Sequence, residues 1–267
     1  MTDDEIPVLA SAGVDGIARV TLNRPAVHNA LNEVLIAAMT RVLQETRDNP
    51  GVRVVLLDGA GKSFCAGGDL NWMKRMAANA EAENVTDARA LADMLSALDT
   101  LDKPVVGLLR GAVMGGGVGL ASCCDVAVAA SDTRFALPEV RHGLVAATIA
   151  PHVVAAIGPR QARRYLLTGE RFDAAEAQRI GLVHEVVAPD GLQAAGERLA
   201  GEVLRGGPQA LAASKALVAS VAGRPIDDSV RDETSRLIAR ARAGKEGREG
   251  VTAFLEKRKP SWTGDGG

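Results

Sequence analysis

Aromatic residues are nearly missing from this chain: two tryptophans, one tyrosine and four phenylalanines, 3% of the sequence. With 47% apolar residues and so few rings, the core must be aliphatic and rich in alanine. Cysteine is also scarce. There are three, Cys65 and the adjacent Cys123 and Cys124, which implies no disulfide framework and a reducing, cytoplasmic setting. No long basic run exists and the formal net charge is −2, which argues against a nucleic-acid surface. No apolar run approaches membrane-spanning length, and the acidic start Met1-Thr-Asp-Asp-Glu5 is unlike a targeting signal. His28, His142, His152 and His184 lie scattered without ligand spacing, so no metal is expected. Two phosphate-binding fingerprints also fail. Gly61-Lys62-Ser63 has Leu56 where a P-loop needs glycine, and G-x-G-x-x-G frames from Gly115 and Gly117 end on Leu120 and Ser122.

What is present is periodic. Ile17–Leu22 alternates like a half-buried strand and ends at Asn23-Arg-Pro25. Asn29 is a candidate cap for a helix with Leu31, Leu35, Met39 and Val42 on one face. Val52–Leu57, Pro104–Leu109 and Val126–Ala129 read as buried strands, and Leu91, Met94, Leu95 and Leu98 form another helical stripe. From Pro151 onward the pattern is mostly helical: Val153–Ile157, Arg160–Leu167, Ala174–Ile180, Leu192–Leu204, Gln209–Ala219 and Ser229–Ala243, with one strand at Val183–Val187. Strands alternating with helices, then helices alone, indicate an α/β core followed by a helical region.

The chemistry concentrates on Gly111-Ala-Val-Met-Gly-Gly-Gly-Val-Gly-Leu120, where a strand runs into three consecutive glycines and then a helix beginning near Val118. Unpaired amides at a helix start lie at the positive end of its dipole, and glycine lets a ligand approach them. Such a site can hold negative charge developing on an oxygen. The same glycines would also simply let a helix pack on a strand. Phe64-Cys-Ala-Gly-Gly-Asp-Leu70 is a second junction of this kind, and Phe135-Ala-Leu-Pro-Glu-Val-Arg-His-Gly143 sets Glu139 among apolar neighbours, where a carboxyl pKa rises toward working pH. Glu139 could instead cap a helix. Cys65 is a conceivable nucleophile with no paired histidine, and His142 stands three positions from Glu139. Trp72, Met73 and Met76 suit either core packing or an apolar wall for a ligand.

These segments, with Phe172-Asp-Ala-Ala-Glu-Ala-Gln-Arg-Ile-Gly-Leu-Val183, resemble the crotonase (enoyl-CoA hydratase/isomerase) superfamily over most of the chain. Glu139-Val-Arg141 and Ala156-Ile-Gly-Pro-Arg-Gln-Ala-Arg-Arg-Tyr165 look most like methylglutaconyl-CoA hydratases and their isohexenyl relatives. The resemblance implies a spiral of ββα repeats over 1–200, a helical trimerisation region over 201–267, and trimers paired as hexamers. It implies an acyl-CoA substrate, no separate cofactor and no metal. It assigns catalysis to Glu139, with the backbone N–H groups of Ala66 and Gly116 as oxyanion donors. Substrate contacts fall to Ala26, Ala66, Gly67, Gly68, Asp69, Leu70, Trp72, Gly115, Gly116 and Gly119, with the pantetheine threaded between Asn23–Leu31 and Ala66–Leu70. One departure stands out. Archetypal hydratases carry a second glutamate at the position of Gly119, and its loss also matches Δ3,Δ2-enoyl-CoA isomerases. A crotonase-like protein that binds an acyl-CoA without chemistry is the third reading. The local resemblance favours hydration of a branched, carboxylated enoyl-CoA.

Overall fold

In the computed structural model, which describes residues 6–263, a hairpin of β1 (Val8–Ala12) and β2 (Ile17–Leu22) opens a six-stranded sheet. β3 (Val54–Gly59), β4 (Val105–Leu109), β6 (Val126–Ala130) and β9 (Glu185–Val187) extend it in parallel, giving the order β1-β2-β3-β4-β6-β9. A second sheet joins β5 (Ala112–Met114), β7 (Arg134–Ala136) and β8 (Phe172–Asp173).

Both faces of the larger sheet are covered, which is why β3 and β4 read as continuous apolar runs. One face meets α1 (Glu33–Asp48), α3 (Glu81–Asp99), α4 (Gly116–Ser122) and α5 (Ala150–Thr168), with Leu22, Leu35, Met39, Leu57, Met94, Leu95 and Leu98 at its centre. The other face, lined by Ile17, Val54, Leu56, Val106, Leu108 and Val128, is covered by α7 (Leu192–Leu204). α2 (Leu70–Ala78) and α6 (Ala174–Arg179) are short connectors.

Two local expectations change. The cap of α1 is Asn32, whose side chain accepts from the Leu35 amide at 2.9 Å. Asn29 is instead fully buried in a left-handed conformation and knits loops together, donating to the Ala60 and Ser63 carbonyls and accepting from the Arg24 amide. The expected helices at 153–157 and 160–167 are two arms of α5, broken at Gly158 (φ 73°, ψ 160°) ahead of Pro159.

α7 continues past residue 200 and packs on the sheet, so the change from core to periphery falls at Arg205–Gly207. Beyond it lie α8 (Pro208–Val221), α9 (Asp228–Ala243) and α10 (Lys245–Leu255). In this chain α8 buries no residue, α9 only Val230 and α10 only Ala253. Val251, Phe254 and Leu255 of α10 are 58%, 81% and 72% exposed, leaving a broad apolar surface uncovered. At the end of α10, Arg258 is paired with Glu249 and Glu256.

Candidate active site

The two glycine junctions lie side by side, laced by backbone hydrogen bonds. The Cys65 amide donates to the Ala112 carbonyl at 3.2 Å, and the Met114 amide donates to the Cys65 carbonyl at 2.9 Å. Gly115 (φ 49°, ψ −114°) turns β5 into α4, and its amide donates to the Ala136 carbonyl at 2.9 Å. That bond ties the second junction to β7, and therefore to Glu139 three residues on.

The amides sort into used and free. Ala66 donates to the His28 carbonyl at 3.0 Å, so it is not available as an oxyanion donor. Gly68 and Gly116 donate to no backbone acceptor among the described residues; Gly68 is exposed and Gly116 half-buried. The free donor of the first junction is thus Gly68, two residues beyond the expected one. The two loop segments expected to flank the pantetheine meet at one point. Leu31 donates to the Gly67 carbonyl at 2.7 Å and accepts from the Asp69 amide at 2.8 Å, so the two chains are paired edge to edge. The pairing closes the gap between them at Leu31 and Gly67–Asp69.

Asp69 is buried and its contacts are internal. Its carboxylate caps α2 through the Asn71 and Trp72 amides and meets Arg24 at 2.9 Å. Burial alone would raise its pKa, but the Arg24 hydrogen bond, the two amides and the Arg24 charge outweigh that and hold it below the ordinary carboxylate range. It shapes the junction and has no free oxygen directed at a ligand. Trp72, on the next turn, is buried in the main core, which favours packing over a ligand wall, while Leu70 is 75% exposed. Ala26 is exposed in the 3-10 turn Pro25–Val27. Cys65 is fully buried and its thiol is pushed up to about 12 by desolvation, which removes it as a nucleophile.

Glu139 opens the 3-10 turn Glu139–His142, directly after Pro138. Its carboxylate stands against Gly115: a β-carbon there would lie 2.8 Å from Oε1. Its Oε2 is buried and has no hydrogen-bond partner among the described residues. Burial raises the pKa of this group above the ordinary value, opposed by its own backbone amide and by the His142 charge. A half-buried carboxylate with one uncommitted oxygen, set against Gly115 of the second junction, is suited to accepting and returning a proton. His142 is exposed and acts on it only as a neighbouring charge.

Gly119 is buried one turn along α4, facing the protein interior. A β-carbon there would lie 2.5 Å from Ile149 Cγ2 and 2.9 Å from Ile149 Cβ. Ile149 therefore occupies the space a side chain at 119 would need. It and Leu31, whose Cδ1 would be 2.5 Å from a β-carbon on Gly116, are neighbours of the site that sequence reasoning did not select. Both belong to ordinary apolar patterns, and only the fold brings them here. Gly68 had a local signal: it directly precedes the helix cap Asp69.

The enoyl-CoA hydratase/isomerase family model matches residues 13–265. Among similar proteins, a crotonyl-CoA hydratase of Syntrophomonas wolfei is 34% identical over 252 residues, covering 92% of this chain and 94% of the relative. A 2,3-dehydroadipyl-CoA hydratase of Escherichia coli is 32% identical over 246 residues, covering 92% and 94%. The crystal structure of an enoyl-CoA hydratase from Shewanella pealeana superposes with a TM-score of 0.94 at 41% identity, covering 97% of each chain. With this coverage, two glycine junctions joined edge to edge and a half-buried carboxylate against the second, the chain belongs to the enoyl-CoA hydratase/isomerase (crotonase) superfamily and is an enzyme of that type.

Proposed function

We propose that the chain hydrates a branched or carboxylated 2-enoyl-CoA with Glu139 as its only proton-transferring carboxylate. The thioester oxygen lies between the amides of Gly68 and Gly116. Glu139 takes a proton from water as the water oxygen bonds to Cβ. The π electrons shift onto the thioester oxygen as an enolate, which the two amides stabilise. Glu139 then returns the proton to Cα, so the sum is water added across the double bond. Loss of one such donor costs ~3–4 kcal/mol in other enzymes. Supporting this reading are the uncommitted Oε2 of Glu139 and the two free amides. The chemistry needs no metal, and activity is expected to survive exhaustive chelation.

The substrate preference rests on the resemblance in Glu139-Val-Arg141 and on the relative named for a dicarboxylic acyl-CoA. The test follows loss of the enoyl-thioester absorbance across a panel of straight, branched and carboxylated enoyl-CoA esters. Fastest loss with a branched carboxylated ester is expected; faster loss with crotonyl-CoA would refute the preference. One observation favours a second reading, Δ3,Δ2-isomerisation: Ile149 fills the place of a second carboxylate, and a single carboxylate suffices to move one proton. Absorbance gained from 3-enoyl-CoA esters would select it. CoA-ester binding without either change would select a non-catalytic binder. The exposed apolar residues of α8–α10 support assembly into trimers or paired trimers. Light scattering that finds an active monomer at micromolar concentration would remove that part.

A further inference from the structure

Away from the glycine junctions, three side chains from distant parts of the sequence meet where three helices converge. Asp99 is the last residue of α3, Cys123 directly follows α4, and His152 lies in the first turn of α5. One donor atom from each lies within 4.8 Å of the others. His152 Nδ1 and Asp99 Oδ2 are 3.6 Å apart, too far for a hydrogen bond. That separation instead approaches the edge of a zinc coordination tetrahedron, about 3.4 Å for nitrogen and oxygen ligands at ordinary bond lengths. Among the described residues none of the three side chains is committed to a hydrogen bond, so all three donors are available. Cys123 is buried, His152 is largely covered and Asp99 is half exposed, so an ion can enter past the carboxylate.

We propose that Asp99, Cys123 and His152 form a binding site for a zinc-class divalent ion, the fourth position being left to water. Thiolate, imidazole and carboxylate together match borderline-soft ions and not magnesium or calcium. On binding, the Cys123 thiol proton leaves to solvent as the sulfur–metal bond forms. The ion joins the end of α3, the end of α4 and the start of α5. α4 begins at Gly116 and α5 follows Ile149, so the ion braces the frame around the active site without entering its chemistry.

The test titrates the metal-stripped full chain with Co2+ and then with Zn2+. Expected are visible cobalt bands and a near-ultraviolet thiolate-to-cobalt band that saturate at one ion per chain and are abolished by Zn2+. Cys123→Ser should remove the thiolate band, and Asp99→Asn should weaken binding by about tenfold or more. Absence of the thiolate band in the wild-type chain, its survival in Cys123→Ser, or unchanged affinity in Asp99→Asn would overturn the site. Should Cys123→Ser fail to fold, the half-exposed Asp99→Asn decides alone, read by cobalt affinity and by whether Zn2+ still raises its Tm.

Discussion

The two glycine junctions begin alike and end differently. In the first, the helix cap is a charged side chain, Asp69, and a β-carbon on Gly68 would meet only Met73 Cγ at 3.4 Å. Each junction has one positive-φ glycine, Gly67 or Gly115, but in the second α4 has no side-chain cap and every glycine from 115 to 119 is approached to 2.8 Å or closer. Glu139, Leu31, Cys65 and Ile149 are the neighbours responsible. Both junctions present a free amide, but only the second also positions the carboxylate. The same local motif thus yields a loosely packed free amide in one place and a closely packed pairing of free amide and carboxylate in the other.

If that contrast is right, the largest effect on stability comes from forcing a side chain into the second junction. Gly119→Glu restores the second carboxylate of archetypal hydratases on paper, yet its β-carbon collides with Ile149. Overpacking of this kind costs about 1–3 kcal/mol or more, and the added buried charge increases it. Crotonyl-CoA hydration should therefore not rise; soluble yield and Tm should fall, and Gly119→Glu with Ile149→Ala should recover part of both. A hydration gain in the single variant would show that α4 is looser than described.

Glu139→Gln comes next. It keeps the shape and removes proton exchange, so turnover should drop ~10²–10⁴-fold with CoA-ester affinity nearly unchanged. In the wild type, the base form is required and burial raises the carboxyl pKa above 4.5, so activity should fall with acid at a midpoint above that value. The stability effect has the opposite sense. A group whose folded pKa is raised contributes most below its unfolded value and loses that contribution as pH rises through the folded one. Glu139→Gln should therefore have a Tm equal to or slightly above wild type at neutral pH, by at most about 2 °C, with the difference vanishing at low pH. A full-activity Gln variant would move the base elsewhere.

Gly115→Ala and Gly68→Ala measure the contrast directly. Alanine at 115 suffers positive φ and a carboxylate oxygen at 2.8 Å, so it must push Glu139 aside. A displacement of about 1 Å can cost ~10²-fold in rate, and kcat should carry most of the loss. Alanine at 68 keeps the amide and meets ordinary packing distance. Its kcat/KM should stay within about threefold of wild type, the range of a surface change near 0.5 kcal/mol. Equal losses at both positions would erase the distinction between the junctions.

Local pattern was enough for much of this protein. Apolar alternation and β-branched runs placed β2, β3, β4 and β6 to within two residues, because buried strands need those residues wherever they lie. Three glycines between a strand and a helix, and a glutamate in an apolar stretch, marked the second junction and the half-buried carboxylate against it for the same reason: backbone freedom and desolvation are local properties. What tertiary structure alone decided was which amides remain free. Ala66 and Gly68 look equivalent in sequence, but the carbonyl of His28, 38 positions upstream, comes to Ala66 and not to Gly68. Likewise, that Ile149 closes the space beside Gly119, and that Asp99, Cys123 and His152 converge, depends on how α3, α4 and α5 meet. Hydrogen-bond partners and steric neighbours are set by distance in space, which a linear chain specifies only once it has folded.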